Sequence, residues 1–360
     1  MLDHQPGFWD FEERLRSLSA HGDPLEALSR TVDFDIFRPI LERALRRSDP
    51  SKGGRPGFDV VLKFKMLVLQ ALHGVSLEQT EYLVRDRLSW MRFCGLGLSD
   101  RVPDANTVWD FREALIASKT LDKLFIRLDR AIGEAGYQAM SGQILDATLV
   151  AAPKQRNRED EREAIKSGRV PKDWKNQPAK LRQKDRDARW TVKFAKARKR
   201  EDGKNQPDIA IPTFGYKSHI SVDRRHRIIR RQIVTHAAAH DGARLREGLI
   251  DPDNFASGVW ADTAYRSREN ETYLEKHGKV SRIHYKKPKG KPMANNIKRG
   301  NATKSKIRAH IEHVFADQKA RMGLAVRTIG IKRAEATIIL ANMAYNMKRW
   351  DWLDRRAVLT

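Results

Sequence analysis

The run Gln143-Ile144-Leu145-Asp146-Ala147-Thr148-Leu149-Val150 decides the fold. It is short, apolar and rich in β-formers, with one carboxylate in its middle, and the chain changes character there. Before it, residues 1–137 read as helical. Val60, Val61, Phe64, Leu67, Val68 and Leu72 form a broad apolar stripe at helical spacing. Ser76-Leu77-Glu78-Gln79 fits a capping box, opening a helix that carries Leu77, Tyr82, Leu83, Leu88 and Phe93. Gly95, Gly97 and Pro103 break the pattern and Val108–Ile116 resumes it. A helix-turn-helix needs a shorter connection than Gly95–Asp104, so a generic helical bundle is the favoured reading.

After that run, Phe214–Val222 and Ile228–Thr235 read as two strands joined at Asp223–His226. Asp241–Ile250 reads as a helix, and Val259-Trp260-Ala261-Asp262 as a fourth strand. Ser267 caps a helix through Lys276 with Gly278 as its stop, and Val280–Tyr285 suggests a fifth strand. Thr303–Met322 and Ala334–Trp350 are long helices with apolar stripes. This order predicts an α/β (α+β) mixed-sheet domain at 138–360 behind an all-helical domain at 1–137. A basic insertion interrupts the second domain at about 153–206. Pro153–Lys204 holds 19 Lys and Arg against 9 Asp and Glu, with little hydrophobic periodicity, and reads as partly disordered without DNA.

Charge narrows the function. Across 360 residues, 70 Lys and Arg face 46 Asp and Glu, a net of +24. Such a chain seeks a polyanion, and scattered cations are what phosphate neutralisation rewards. Lys276–Ile311 is the most one-sided stretch, with 12 Lys and Arg and no acid, and Lys286, Lys287, Lys289 and Lys291 at its centre. A run without counter-charges favours phosphate contact over a merely solvated face. The most apolar stretch, Val60–Leu72, is broken by Lys63 and Lys65, so no membrane span is expected. Met1-Leu2-Asp3-His4-Gln5-Pro6 lacks the basic-then-apolar order of an export signal, which points to the cytoplasm. Cys94 is the single cysteine, which excludes a disulfide framework and a thiolate zinc cluster. His236 and His240 are spaced four apart but lack a third zinc ligand.

Asp146 and Asp262 each sit in an apolar strand, where a carboxylate is costly unless compensated. Two such groups near each other repel, and a hard divalent cation relieves the repulsion. A third acid comes from the helix around Glu312. At 100° per residue Ser305, Arg308, Glu312 and Lys319 share an arc of about 60°, beside an apolar arc of Ile307, Ile311, Val314, Phe315 and Met322. Arg308 and Glu312, four apart, also suit an ordinary surface pair. Trp260 reads as core, while Tyr265 is either core or a contact to DNA.

Together Asp146-Ala147-Thr148, the hairpin Gly215-Tyr216-Lys217-Ser218-His219-Ile220-Ser221-Val222-Asp223, and Ala261-Asp262-Thr263-Ala264-Tyr265 resemble the catalytic core of bacterial insertion-sequence transposases. These are Asp-Asp-Glu (DDE) enzymes with a ribonuclease H-like fold. The closing helix is similar to their Tyr-x2-Arg-x3-Glu-x6-Lys signature, met by Arg308, Glu312 and Lys319, and followed by the family-like Asn342-Met343-Ala344-Tyr345-Asn346. Ser305 stands where the signature has Tyr. The resemblance spans roughly 140–350 and extends to the helical N-terminus, which would bind terminal repeats. It implies that Asp146, Asp262 and Glu312 hold two Mg²⁺ ions, with Mn²⁺ able to substitute, and that Arg308, Lys319 and Tyr265 meet DNA. It implies cutting at element ends, joining of the freed 3′-OH to target DNA, and a homodimer on paired ends, with no nucleotide cofactor. The protein would associate with the nucleoid when active. A nuclease of the same fold that cuts without joining, and a catalytically silent DNA-binding protein, are the alternatives.

Overall fold

The computed structural model describes residues 10–45, 57–195 and 208–358. The expectations for Met1–Pro6 and for the basic insertion beyond residue 195, up to 206, lie outside the described residues. Of the described residues, those within Met1–Tyr137, Ala320–Gly323 and Ile339–Thr360 form one compact unit, and those within Gln138–Lys319 and Leu324–Ile338 a second.

The first unit is helical: α1 (Asp10–Ala20), α2 (Pro24–Thr31), α3 (Arg38–Ala44), α4 (Val60–His73), α5 (Leu77–Asp86), α6 (Leu88–Cys94), α7 (Ala105–Ala117) and α8 (Thr120–Glu134). Its core is aromatic, with Phe37 and Phe64 rings 5.0 Å apart and Phe34 and Phe93 5.3 Å apart. Asp59 caps α4 by accepting from the amides of Val61 and Leu62, and Ser76 caps α5 through Gln79. The helix expected from Ser76 through Phe93 is two helices, because Arg87 is extended (φ −106°, ψ 118°). Among the described residues no single helix is long and apolar enough to cross a membrane.

The second unit is built on β1 (Gln143–Ala151), then α9 (Glu159–Lys166), α10 (Lys172–Lys175) and α11 (Pro178–Gln183). There follow β2 (Arg189–Ala195), β3 (Ile209–Asp223), β4 (Ile229–His236), α12 (Asp241–Arg244), β5 (Gly258–Trp260), α13 (Arg268–Lys276) and β6 (Val280–Ser281). The long α14 (Asn295–Ala316) comes next, and α15 (Ile331–Val358) contributes residues to both units. β3 lies between β4 and β1, antiparallel to both, and β5 and β6 continue the sheet in parallel from β1. Across the sheet the order is β4-β3-β1-β5-β6, with β2 paired to the first half of β3. The mixed α/β architecture is therefore the one the sequence implied.

Three local expectations change. The helix from Asp241 tightens into a 3₁₀ turn at Leu245–Glu247. The strand expected over Val280–Tyr285 ends at Ser281, although Arg282 and His284 still donate to the carbonyls of Val259 and Ala261. The basic insertion, as far as it is described, is ordered. Glu161 accepts from Trp174 Nε1 (2.7 Å) and Lys180 (3.0 Å), so a buried tryptophan and a satisfied carboxylate anchor it. Burial alone would raise the Glu161 carboxyl, but these bonds and the Arg158 amide hold it down at about 2. Asp185 then ties the segment to the sheet by accepting from Tyr216 Oη at 2.6 Å.

One glycine fixes the β1–β5 junction. Gly142 has φ +90°, and a Cβ there would meet the carbonyl oxygen of Gly258 and the Trp260 ring, each at 2.5 Å. Gly142→Ala should cost roughly 3 kcal/mol through left-handed strain plus displaced backbone. A lower urea midpoint with an unchanged m-value would register this; an unchanged midpoint would mean the junction adapts freely.

Candidate active site

The sheet places the two aspartates. Gln143 pairs with Val259 and Ile144 with Trp260 in the parallel β1–β5 ladder. The ladder ends there: Asp146 follows two residues later on β1 and Asp262 two residues past the end of β5, near enough for its charge to act on Asp146. Asp146 Oδ1 accepts from the Ala147 amide at 2.8 Å. Asp262 caps the short 3₁₀ turn Thr263–Tyr265 by accepting from Ala264 at 2.7 Å.

Helix α14 brings the third acid. Ile311, Val314 and Phe315 bury its apolar side, and this seats Arg308 beside β1. Arg308 Nη1 donates to Asp146 Oδ2 at 2.6 Å and Nη2 donates to Glu312 Oε1 at 2.9 Å. One rigid fork thus joins carboxylates from a strand and a helix far apart in the sequence. Burial pushes the Asp146 carboxyl up to about 6, Arg308 offsets part of the rise, and the Asp262 charge adds to it. Among the described residues no three His, Cys, Asp or Glu side chains are grouped to hold a metal ion; a guanidinium lies between two of the acids instead.

Ser305 has a definite place. Buried His284 bonds the Ala261 carbonyl through Nδ1 (3.0 Å) and faces Ser305 Oγ (3.0 Å) and the Asn301 carbonyl (3.1 Å) through Nε2. This ring links α14 to the strand leading into Asp262, so Ser305 holds the scaffold.

Lys319 and Tyr265 sit in surroundings the sequence does not spell out. The helix does not run straight to Met322: Asp317–Arg321 form a π turn. Lys319 lies within this wider i→i+5 winding, where the 100° phasing of Arg308 and Glu312 no longer applies. Lys319 reaches the surface, yet partial desolvation and the charge of Lys193 on β2 lower its pKa. Tyr265 is 1% exposed within a core of Leu145, Val259, Ala261 and Leu274, so its ring offers no face to DNA as placed. Its hydroxyl has no hydrogen-bond partner among the described residues. Burial holds that hydroxyl well above its usual pKa, with Asp146, Asp241 and Asp262 reinforcing the rise.

Lys286, Lys287, Lys289 and Lys291 are all exposed, between β6 and α14. His236 closes β4 and His240 precedes α12, and neither belongs to a metal-binding group among the described residues. The sequence reading did not single out Asp241. It bonds Lys217 Nζ at 2.7 Å and lies 3.8 Å from His219 Nδ1, and burial pushes His219 down to about 4, so that ring is neutral at pH 7. The available signal was Lys217 and His219 themselves, charged or titratable residues inside a strand that is otherwise buried.

Comparison with known families agrees with this geometry. A family model described as a transposase domain (DUF772) matches residues 13–114. A second, described as a transposase DDE domain, matches residues 137–347, more than half of the chain. No solved structure matches the chain.

Proposed function

We propose a cut-and-join reaction on DNA for this chain, which belongs to the transposase DDE domain family. The observation that carries the reading is the convergence of Asp146 and Glu312 on one guanidinium, with the charge of Asp262 acting on Asp146. Members of the family use divalent metal ions, and the chemistry of the donors suits one: Asp146 and Glu312 offer hard carboxylate oxygens that already share a cationic partner. Asp146, Asp262 and Glu312 would hold two such ions, Mg²⁺ with Mn²⁺ as a substitute. When bound, they supply a water of lowered pKa and charge stabilisation at the departing 3′ oxygen.

The chain's own residues supply the rest. Arg308 neutralises a phosphate oxygen beside the acids once it is released from them. Lys319 meets the DNA backbone from its position within the π turn, and the exposed Lys286–Lys291 loop grips the flanking duplex. The helical unit binds the terminal repeats, and two copies act on paired ends, in the cytoplasm at the nucleoid. No covalent protein–DNA bond is required, since the 3′-OH released by hydrolysis is itself the next nucleophile.

The test is a strand-transfer assay. Duplexes ending in a pre-cut 3′-OH terminal repeat, incubated with supercoiled plasmid and Mg²⁺, should yield covalently joined products that vanish with chelator. Plasmid nicking without joining would assign a nuclease, and binding without either reaction a catalytically silent protein.

A further inference from the structure

Beyond the acids, the most unusual surface is a two-stranded ribbon. β2 pairs with the first half of β3 in the register Trp190↔Phe214, Val192↔Pro212 and Phe194↔Ala210. Paired residues in an antiparallel ladder share a face, so these six make one wholly apolar face. Part of it is anchored: Phe214 is buried and its ring lies 5.4 Å from that of Trp190. The outer part is open to solvent, with Phe194 66% and Val192 50% exposed. Isolated two-stranded ribbons are marginal in water, and an apolar face left bare on one calls for an occupant.

Charge selects that occupant. Pro153–Lys204 carries a net +10, and Lys193, on the opposite face of the same strand, adds its charge to the burial that lowers the pKa of Lys319. A second copy of the chain would bring another +24, so the complementary partner is a polyanion with apolar faces of its own. Unpaired nucleotides have both properties: phosphates that suit the cationic chain and flat bases for the aromatic rings.

We propose that the β2–β3 ribbon is a stacking platform for unpaired nucleotides at a DNA end, with Phe194 and Trp190 as the stacking rings. The proposal rests on the DNA-cutting reading, since such nucleotides arise where a duplex is opened or cut.

The experiment compares the full chain with Phe194→Ser and Phe194→Tyr, without divalent metal, by fluorescence anisotropy on two probes: a blunt duplex and the same duplex with a short single-stranded tail. Phe194 is largely exposed, so its removal should leave the fold intact, and Phe194→Tyr keeps the ring. Each stacked base contributes about 1–3 kcal/mol, so Phe194→Ser should bind the tailed probe about 5- to 100-fold more weakly. Phe194→Tyr should bind it normally, and blunt-duplex affinity should change less than about 2-fold by the same reckoning. Equal losses on both probes, or no loss on the tailed one, overturn the platform. A shift to smaller species by sedimentation in Phe194→Ser would give the face to a second copy and also overturn it. If the unaltered chain binds neither probe, the DNA-cutting reading itself fails.

Discussion

Asp146→Asn, Asp262→Asn and Glu312→Gln should each lower metal-dependent strand cleavage by roughly 10³-fold or more while leaving duplex affinity within about 3-fold. Each change is nearly isosteric and removes only charge and basicity, so a loss confined to cleavage isolates the chemistry from the grip on DNA. Asp146 lies on β1 and Asp262 just past the end of β5, and each has one oxygen committed to a backbone amide. That leaves the second oxygen of Asp262 for an ion, while the second oxygen of Asp146 accepts from Arg308 at 2.6 Å and becomes available when that guanidinium moves away. Glu312 is more exposed, with its side chain 58% accessible, so it has the freedom to turn from Arg308 toward an incoming ion. The strand-cleavage rate on a labelled repeat end and anisotropy on the same duplex measure the two effects separately. Full cleavage by any of the three variants would remove that residue from the site.

Much of this arrangement was legible because burial and charge conflict in the sequence itself. An aspartate inside Ile144–Val150, and another closing Val259–Ala261, advertise themselves against apolar neighbours. The caps at Ser76 and Ser267 were equally plain, because a hydroxyl followed by a helix is a local code. What escaped depends on tertiary context. Trp190, Val192 and Phe194 alternate at strand period, yet the surrounding charge density hid β2 within a segment read as an insertion. Nothing in the side-chain pattern of Ser76–Phe93 marks the extended backbone of Arg87. The π turn at Asp317–Arg321 likewise leaves no signature, so the arc that united Arg308 with Glu312 was read one turn too far, to Lys319. Tyr265 follows Asp262 by three residues and by sequence is free to be either core or DNA contact; only packing against Leu145 and Leu274 decides for the core.

Removing the cation between the acids should expose how the site is stabilised before metal arrives. In Arg308→Ala, Asp146 loses its 2.6 Å partner and remains beside Asp262, and both charges stay in the folded state without compensation. Deleting one partner of a fully buried pair costs 3–5 kcal/mol; with Arg308 25% and Asp146 16% accessible, about 2 kcal/mol is expected here. The pH dependence follows from the direction of the Asp146 shift. Its folded pKa of about 6 lies above the ordinary carboxyl value near 3.9, so between those values the folded state binds the extra proton. Asp146 therefore favours folding below about pH 4, and that contribution is lost as pH rises through 6. Arg308 is one of the groups lowering this pKa, so its removal should raise it further and widen the window. The urea midpoint of Arg308→Ala should then approach that of the unaltered protein at pH 5 and fall clearly below it at pH 8, at constant m. Mn²⁺ should restore the deficit at pH 8, since an ion that binds only the folded state stabilises it by mass action, and it should raise the variant's midpoint more than that of the parent. Equal midpoints at pH 8 would reduce the Arg308 bridge to an ordinary surface pair and leave the acids to be held apart by the sheet alone.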